Sequence, residues 1–167
     1  KLIEVSVVKF GYYVKNIKKH YNSISLENEM KPDAIMGGSP TLISIDEAKA
    51  LGYVIPDNYT DTMVPKLNFT ATDLAMKLCY ENELGLRFHT LVWHSQTPDW
   101  FFRENFSSNG NYVSTSIMDQ RLESMIKNTF AALKSQYPNL DVYAYDVCNE
   151  LFVNDGGGMR PANNSNW

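Results

Sequence analysis

Cysteine is nearly absent. Cys79 and Cys148 are the only two in 167 residues, too few for a disulfide scaffold, and neither has a metal-type partner at short spacing. Cys79 falls in a helical pattern and Cys148 in a strand pattern, so both read as small buried apolar residues, with a disulfide between them left open. Basic clusters are missing too. The net charge is −4, and the densest basic stretch, Lys15 to Lys19, reads as a solvated helix face, so no nucleic-acid partner is expected. No apolar run approaches the roughly 20 residues of a membrane span. No leader peptide precedes Lys1, although a trimmed chain would also lack one.

Aromatic residues are plentiful: ten Tyr, eight Phe and three Trp. They suit either a large apolar core or the stacking of sugar C–H faces, and composition does not choose. Hydrophobic residues at 44% and charged residues at 20% mark a globular chain.

Hydrophobic periodicity alternates between strand and helix. Leu2 to Val8 predicts a strand, Tyr12 to His20 a helix, and Asn22 to Leu26 a second strand, after which Pro32 interrupts regular structure. Residues 37–67 look irregular, with a short helix or helical turn over Ile45 to Leu51. Thr70 to Leu84 predicts a helix capped by Thr70 or Thr72, with Leu74 and Leu78 on its apolar face and Gly85 at its C′ position. Leu86 to Trp93 predicts a third strand, apolar on both faces. Ser116 to Tyr137 is a long amphipathic helix, and Val142 to Val147 a fourth strand ending in Cys148-Asn149-Glu150. A glycine-rich loop follows. The order β-α-β-α-β-α-β argues for an α/β fold of parallel strands joined by right-handed crossovers. The polar and aromatic clusters all follow the ends of the second, third and fourth strands. That favours a (β/α)8 barrel, whose sites lie on this face, over an open sheet.

Three clusters could carry chemistry. Asn149-Glu150 closes the fourth strand. A Glu in a barrel mouth can protonate a glycosidic oxygen, and a neighbouring Asn can bind a sugar 2-hydroxyl; alone, the pair would read as a cap or a surface feature. His89-Thr90-Leu91-Val92-Trp93-His94-Ser95-Gln96 is the second. Alternation sets His89 and Leu91 against Thr90 and Val92. His89 and His94 lack a third metal ligand nearby, and His89 reads as a neutral donor to a sugar hydroxyl or a catalytic carboxylate. Glu27-Asn28-Glu29-Met30-Lys31-Pro32-Asp33 is the third: three acids, an amide and a lysine in seven residues, either a solvated loop or a shelf for hydroxyls.

These segments resemble the signatures of glycoside hydrolase family 10, the xylanases. Asn22 to Asp33 (NSISLENEMKPD), His89 to Trp100 (HTLVWHSQTPDW) and Asp146 to Glu150 (DVCNE) match in order. Asn154 to Trp167 (NDGGGMRPANNSNW) resembles the segment after the family's acid/base. The resemblance implies a retaining endo-β-1,4-xylanase on a (β/α)8 TIM barrel. Residues 1–167 would form the N-terminal half of its catalytic domain, about four strands, and the remaining half would be their partner. It implies Glu150 as general acid/base and Asn149 on the 2-hydroxyl. Glu27, Asn28 and Lys31 would line glycone subsites with Gln96 nearby, and His89 and Trp93 would shape the subsite beside the scissile bond. It implies xylan or xylo-oligosaccharide as substrate, no cofactor or metal, no membrane partner, and a secreted location, since xylan lies outside cells. Tyr145 and Cys148 stand where the family usually has Trp and Val. The family's nucleophilic Glu follows the seventh strand, beyond this chain. Two rival readings remain: a related barrel acting on cellulose or another β-glucan, and a non-catalytic carbohydrate-binding fragment.

Overall fold

The computed structural model describes residues 1–153 and 157–167; Asn154 to Gly156 of the glycine-rich loop lie outside the described residues. The chain begins with β1 (Leu2–Val5), α1 (Val7–His20), β2 (Ser23–Leu26) and α2 (Pro32–Met36). Next come β3 (Leu42–Ser44), α3 (Ile45–Ala50), β4 (Met63–Pro65) and α4 (Thr70–Glu81). It continues through β5 (Gly85–Phe88), β6 (Val92–Trp93), α5 (Thr115–Gln136), β7 (Val142–Tyr145) and β8 (Cys148–Asn149). These elements form two compact units. One comprises residues 1–35, 68–97 and 139–167; the other comprises 36–67 and 98–138.

The first unit holds a four-stranded parallel sheet in the order β1-β2-β5-β7. Its register pairs Ile24 with both Ile3 and Leu86, and Leu86 with Val142. Strands of this sheet that follow one another in the chain lie side by side and parallel. β2 is buried along its whole length. Phe10 and Ile17 of α1, and Ala75, Met76 and Cys79 of α4, are buried with Leu86 and Phe88 of the sheet. Burying a side chain such as Phe10 contributes about 1.5–3 kcal/mol. The Lys15 to Lys19 lysines are exposed, as expected of a solvated face.

Several boundaries differ from the sequence reading. α1 starts at Val7 because Ser6 caps it, its hydroxyl accepting from the Lys9 amide, and Glu29 accepts from the Val7 amide at 3.0 Å. Those caps override the β-branched run that reads as strand through Val8. Pro32 opens α2 instead of interrupting structure; at a first helical position its missing N–H costs nothing. On α4, neither Thr70 nor Thr72 caps the helix. Asn68 Oδ1 accepts from the Thr70 amide at 2.9 Å, while the buried Thr72 hydroxyl donates to the Phe69 carbonyl. Leu74 is 49% exposed, and the buried face runs through Thr72, Ala75, Met76 and Cys79. Glu83, at φ 56°, takes the left-handed turn assigned to Gly85. Gly85 instead opens β5, where a Cβ would come within 3.0 Å of the Tyr143 ring.

The expected third and fourth strands each divide in two. β5 stops at Phe88, the His89–Thr90 peptide is cis, and β6 then pairs in parallel with β8 as a separate ladder. Facing alternation for His89 through Val92 therefore fails. Cys148, on β8 with β6 on one side only, is exposed, whereas Cys79 is buried. Both are free thiols, so the open question of a disulfide is answered against it. Burial pushes the Cys79 thiol up to about 12.

In the second unit, the stretch read as irregular contains α3 and the antiparallel β3–β4 pair. Ile43, Ala48 and Val64 form its core with Ile45, Tyr53, Ile55 and Tyr59 against them. Ser114 caps α5, which spans the expected helix to within a residue at each end. Trp100, Phe101, Phe102 and Phe106, in two short 3₁₀ turns, are buried. Arg121 is fully enclosed and spends its guanidinium on Asp61 and on the Phe101 and Arg103 carbonyls.

Candidate active site

The C-terminal ends of β2, β5–β6 and β7–β8 carry the predicted residues, all within the first unit. Glu150 follows β8 directly, in left-handed backbone at φ 52°. Its Oε2 accepts from Trp93 Nε1 at 2.9 Å. The β6–β8 register sets Trp93 opposite Asn149, which fixes the indole beside the next residue. Glu150 is half-exposed, with its side chain 48% accessible. Among the described residues its Oε1 has no hydrogen-bond partner.

Lys31 is buried, and its ammonium sits 4.4 Å from the centre of the Trp93 ring. A cation over an indole face is held by the ring quadrupole without using up its N–H groups. Lys31 Nζ also donates to Asn28 Oδ1 at 3.1 Å, which accepts from Gln96 Nε2 at 3.4 Å. The Gln96 carbonyl accepts from the Asp33 amide at 2.8 Å, tying the loop after β2 to the loop after β6. Burial pushes the Asp33 carboxyl above its usual range, against the Gln96 hydrogen bond and the Lys31 charge. Glu150, Trp93, Lys31, Asn28 and Gln96 thus form one connected cluster.

Glu27 is exposed, with no side-chain hydrogen bond among the described residues. Glu29 accepts from the backbone amides of Val7 and Asn28, so its carboxylate serves the N-terminus of α1. Asn149, which pairs with Trp93, and His89 border an open cleft shared with Arg87 and Asp146.

Among the described residues, His89 makes its side-chain hydrogen bond to Asp146, not to Glu150. Its Nδ1 lies 2.8 Å from Asp146 Oδ2, while Arg87 Nε and Nη2 donate to Asp146 Oδ1 at 2.9 and 2.6 Å. Burial raises the Asp146 carboxyl, but the hydrogen bonds and charges of Arg87 and His89 together outweigh it and hold it below the usual range. An ionised Asp146 only accepts, so the His89 proton sits on Nδ1. His89 thus acts as a hydrogen-bond donor through Nδ1. The carboxylate it serves is Asp146.

Five residues here have no site role in the sequence reading, although it weighs His94 as a metal ligand and Asp146 stands in the DVCNE motif. Arg87 and Asp146 flank His89, and the Arg87–His89 spacing of two on a strand was a usable signal. His94 packs edge-on to Trp93, its Nδ1 3.8 Å from Glu150 Oε2, beyond hydrogen-bond reach. Arg160 and Trp167 bond the Glu150 and Trp93 carbonyls; no local pattern announces either. Among the described residues, no three His, Cys, Asp or Glu side chains group as a metal site.

Parallel strands that carry a carboxylate, a flat indole, a lysine and amides at their C-terminal ends have the layout of an α/β-barrel site. The model of the family described as "Glycosyl hydrolase family 10" matches residues 4–167, and the chain belongs to that family. It is 57% identical over 151 residues to the bifunctional endo-1,4-beta-xylanase XylA of Ruminococcus flavefaciens, covering 90% of this chain and 14% of that protein. It is 51% identical over 181 residues to endo-1,4-beta-xylanase A of Butyrivibrio fibrisolvens, covering 99% of this chain and 44% of that protein. A solved structure of the CBM22-1-GH10 modules of Clostridium thermocellum endo-1,4-beta-D-xylanase 10B, complexed with xylohexaose, superposes with a TM-score of 0.76 at 38% identity, covering 96% of this chain and 29% of that one. The chain thus spans less than half the length of these relatives. Its β1-β2-β5-β7 sheet is the first half of the (β/α)8 barrel.

Proposed function

We propose that the protein carrying this chain is a retaining endo-β-1,4-xylanase, with Glu150 as its general acid/base. One observation carries the reading: Glu150 Oε2 is fixed by the Trp93 indole at 2.9 Å, and that same indole bears the Lys31 ammonium at 4.4 Å. The acid is therefore held through one oxygen, beside donors suited to sugar hydroxyls. The similarity to named endo-1,4-beta-xylanases supports the same substrate over a β-glucan.

Glu150 donates its proton to the departing glycosidic oxygen, then takes one from water in the second step. The nucleophile sits about 5–5.5 Å from it, as retention requires. Glu29 is unsuited to that role, since its oxygens serve backbone amides. The remaining strands of the barrel supply it, and residues 1–167 make up the N-terminal half of one catalytic domain. Alone they turn over no xylan at a useful rate. Asn149 binds the 2-hydroxyl; Glu27, Asn28, Lys31 and Gln96 line the glycone side; His89 and Trp93 shape the subsite next to the bond cleaved. The enzyme works outside the cell, where xylan is.

Glu150→Ala in the full-length protein tests this. Xylan turnover should fall at least about 100-fold, while calorimetry shows xylo-oligosaccharide binding kept within a few-fold. Unchanged turnover would instead favour a carbohydrate-binding role.

A further inference from the structure

The segment after Glu150 reaches back to the acid from two directions. Residues 151–153 and 158–160 run antiparallel, through a Phe152–Met159 bridge and an Arg160 amide donating to the Leu151 carbonyl at 2.8 Å. This sets the Arg160 guanidinium beside the Glu150 backbone, and its Nε donates to the Glu150 carbonyl at 3.2 Å. Further along, the Trp167 indole donates to the Trp93 carbonyl at 3.0 Å. That carbonyl also accepts from the Thr97 hydroxyl at 2.7 Å, so both of its lone pairs are engaged and the Trp93 peptide plane is fixed.

Glu150 adopts φ 52°, a left-handed conformation that a side-chain-bearing residue holds only where its surroundings over-determine it. The β6–β8 ladder is two residues long on each strand and cannot supply that restraint alone. We propose that Arg160 and Trp167 are positioning residues. Arg160 holds the backbone of the acid, and Trp167 holds the backbone of the indole that grips it, so together they set where the Glu150 proton is delivered. Neither needs to touch the sugar. The inference rests on the acid/base assignment of Glu150.

The test uses the full-length enzyme with Trp167→Phe, which keeps an aromatic ring but loses the N–H, and Arg160→Met, which keeps the stem but loses the donors. Each is assayed on two aryl xylobiosides, one with a phenol leaving group that needs protonation and one with dinitrophenol, which does not. Misplacing an acid slows only the first. We expect kcat/KM on the phenyl substrate to fall about 10-fold in each variant, in line with the sensitivity of catalysis to sub-ångström placement. The dinitrophenyl substrate should stay within about twofold. An equal fall on both substrates would assign these residues a merely structural role and overturn the proposal, as would no fall on either. Thermal unfolding of both variants identifies any general loss of fold, which would appear as that equal fall. Glu150→Gln is the control: if it also lacks leaving-group selectivity, the acid/base assignment fails and takes this inference with it. If it shows selectivity and the two variants do not, only the positioning role falls.

Discussion

Two charged clusters in this chain handle their polar groups in opposite ways. In the second unit, Arg121 is completely enclosed and all three of its guanidinium nitrogens are bonded: Asp61 takes Nε and Nη2 at 2.6 and 3.0 Å, carbonyls take Nη1, and the Phe106 ring lies 3.9 Å from the guanidinium carbon. In the first unit, Glu150 is half-exposed and one oxygen is held while the other is open. A buried ion must be fully partnered to persist. A group that moves a proton must keep an atom unspent. Full partnering suits a scaffold ion, and an open oxygen suits the acid/base role proposed for Glu150.

The contrast can be broken first at the scaffold. Arg121→Met strands the Asp61 carboxylate against an apolar neighbour and should cost about 3–5 kcal/mol in chemical unfolding of the full-length protein. A loss under about 1 kcal/mol would mean that Asp61 escapes to water. Asp146 lies between the two extremes, with three donors but a partly open surface. Its folded carboxyl titrates below its unfolded value, so its contribution to stability is present above about pH 4 and disappears as pH falls through the lower folded value. Asp146→Asn should therefore flatten the acid limb of stability against pH; an unchanged limb would show that the ion pair adds nothing. The smallest effect belongs to the exposed Cys148. Cys148→Val should shift unfolding by no more than about 0.5 kcal/mol, and a larger shift would reveal packing that its exposure denies.

Much of the fold was legible because it is local. The long helix α5 announced itself by its period, and the strand-end motifs stood where barrel sites stand. What stayed hidden depends on distant partners. Nothing near Val7 reveals that Glu29 will cap its helix from 22 residues away. The strand-like stretch from Leu86 to Trp93 conceals a break at His89–Thr90, where the Thr90 hydroxyl donates to the Asp146 carbonyl and after which Val92 and Trp93 pair with Cys148 and Asn149 as a second ladder. Cys148 looked buried because strand pattern says nothing about whether a neighbour covers the far side. At the site, residue types were readable but their division of labour was not. Lys31, Asn28, Gln96, Trp93 and Glu150 join up, whereas His89 turns to Asp146 and Glu27 stands apart.

The most direct measurement is anion rescue of the full-length Glu150→Ala enzyme on dinitrophenyl xylobioside. Removing the side chain leaves space beside the glycosyl-enzyme and no base to activate water, so azide should accelerate turnover and yield the β-xylobiosyl azide. No acceleration, or an α-configured product, would contradict Glu150 as the acid/base of a retaining enzyme.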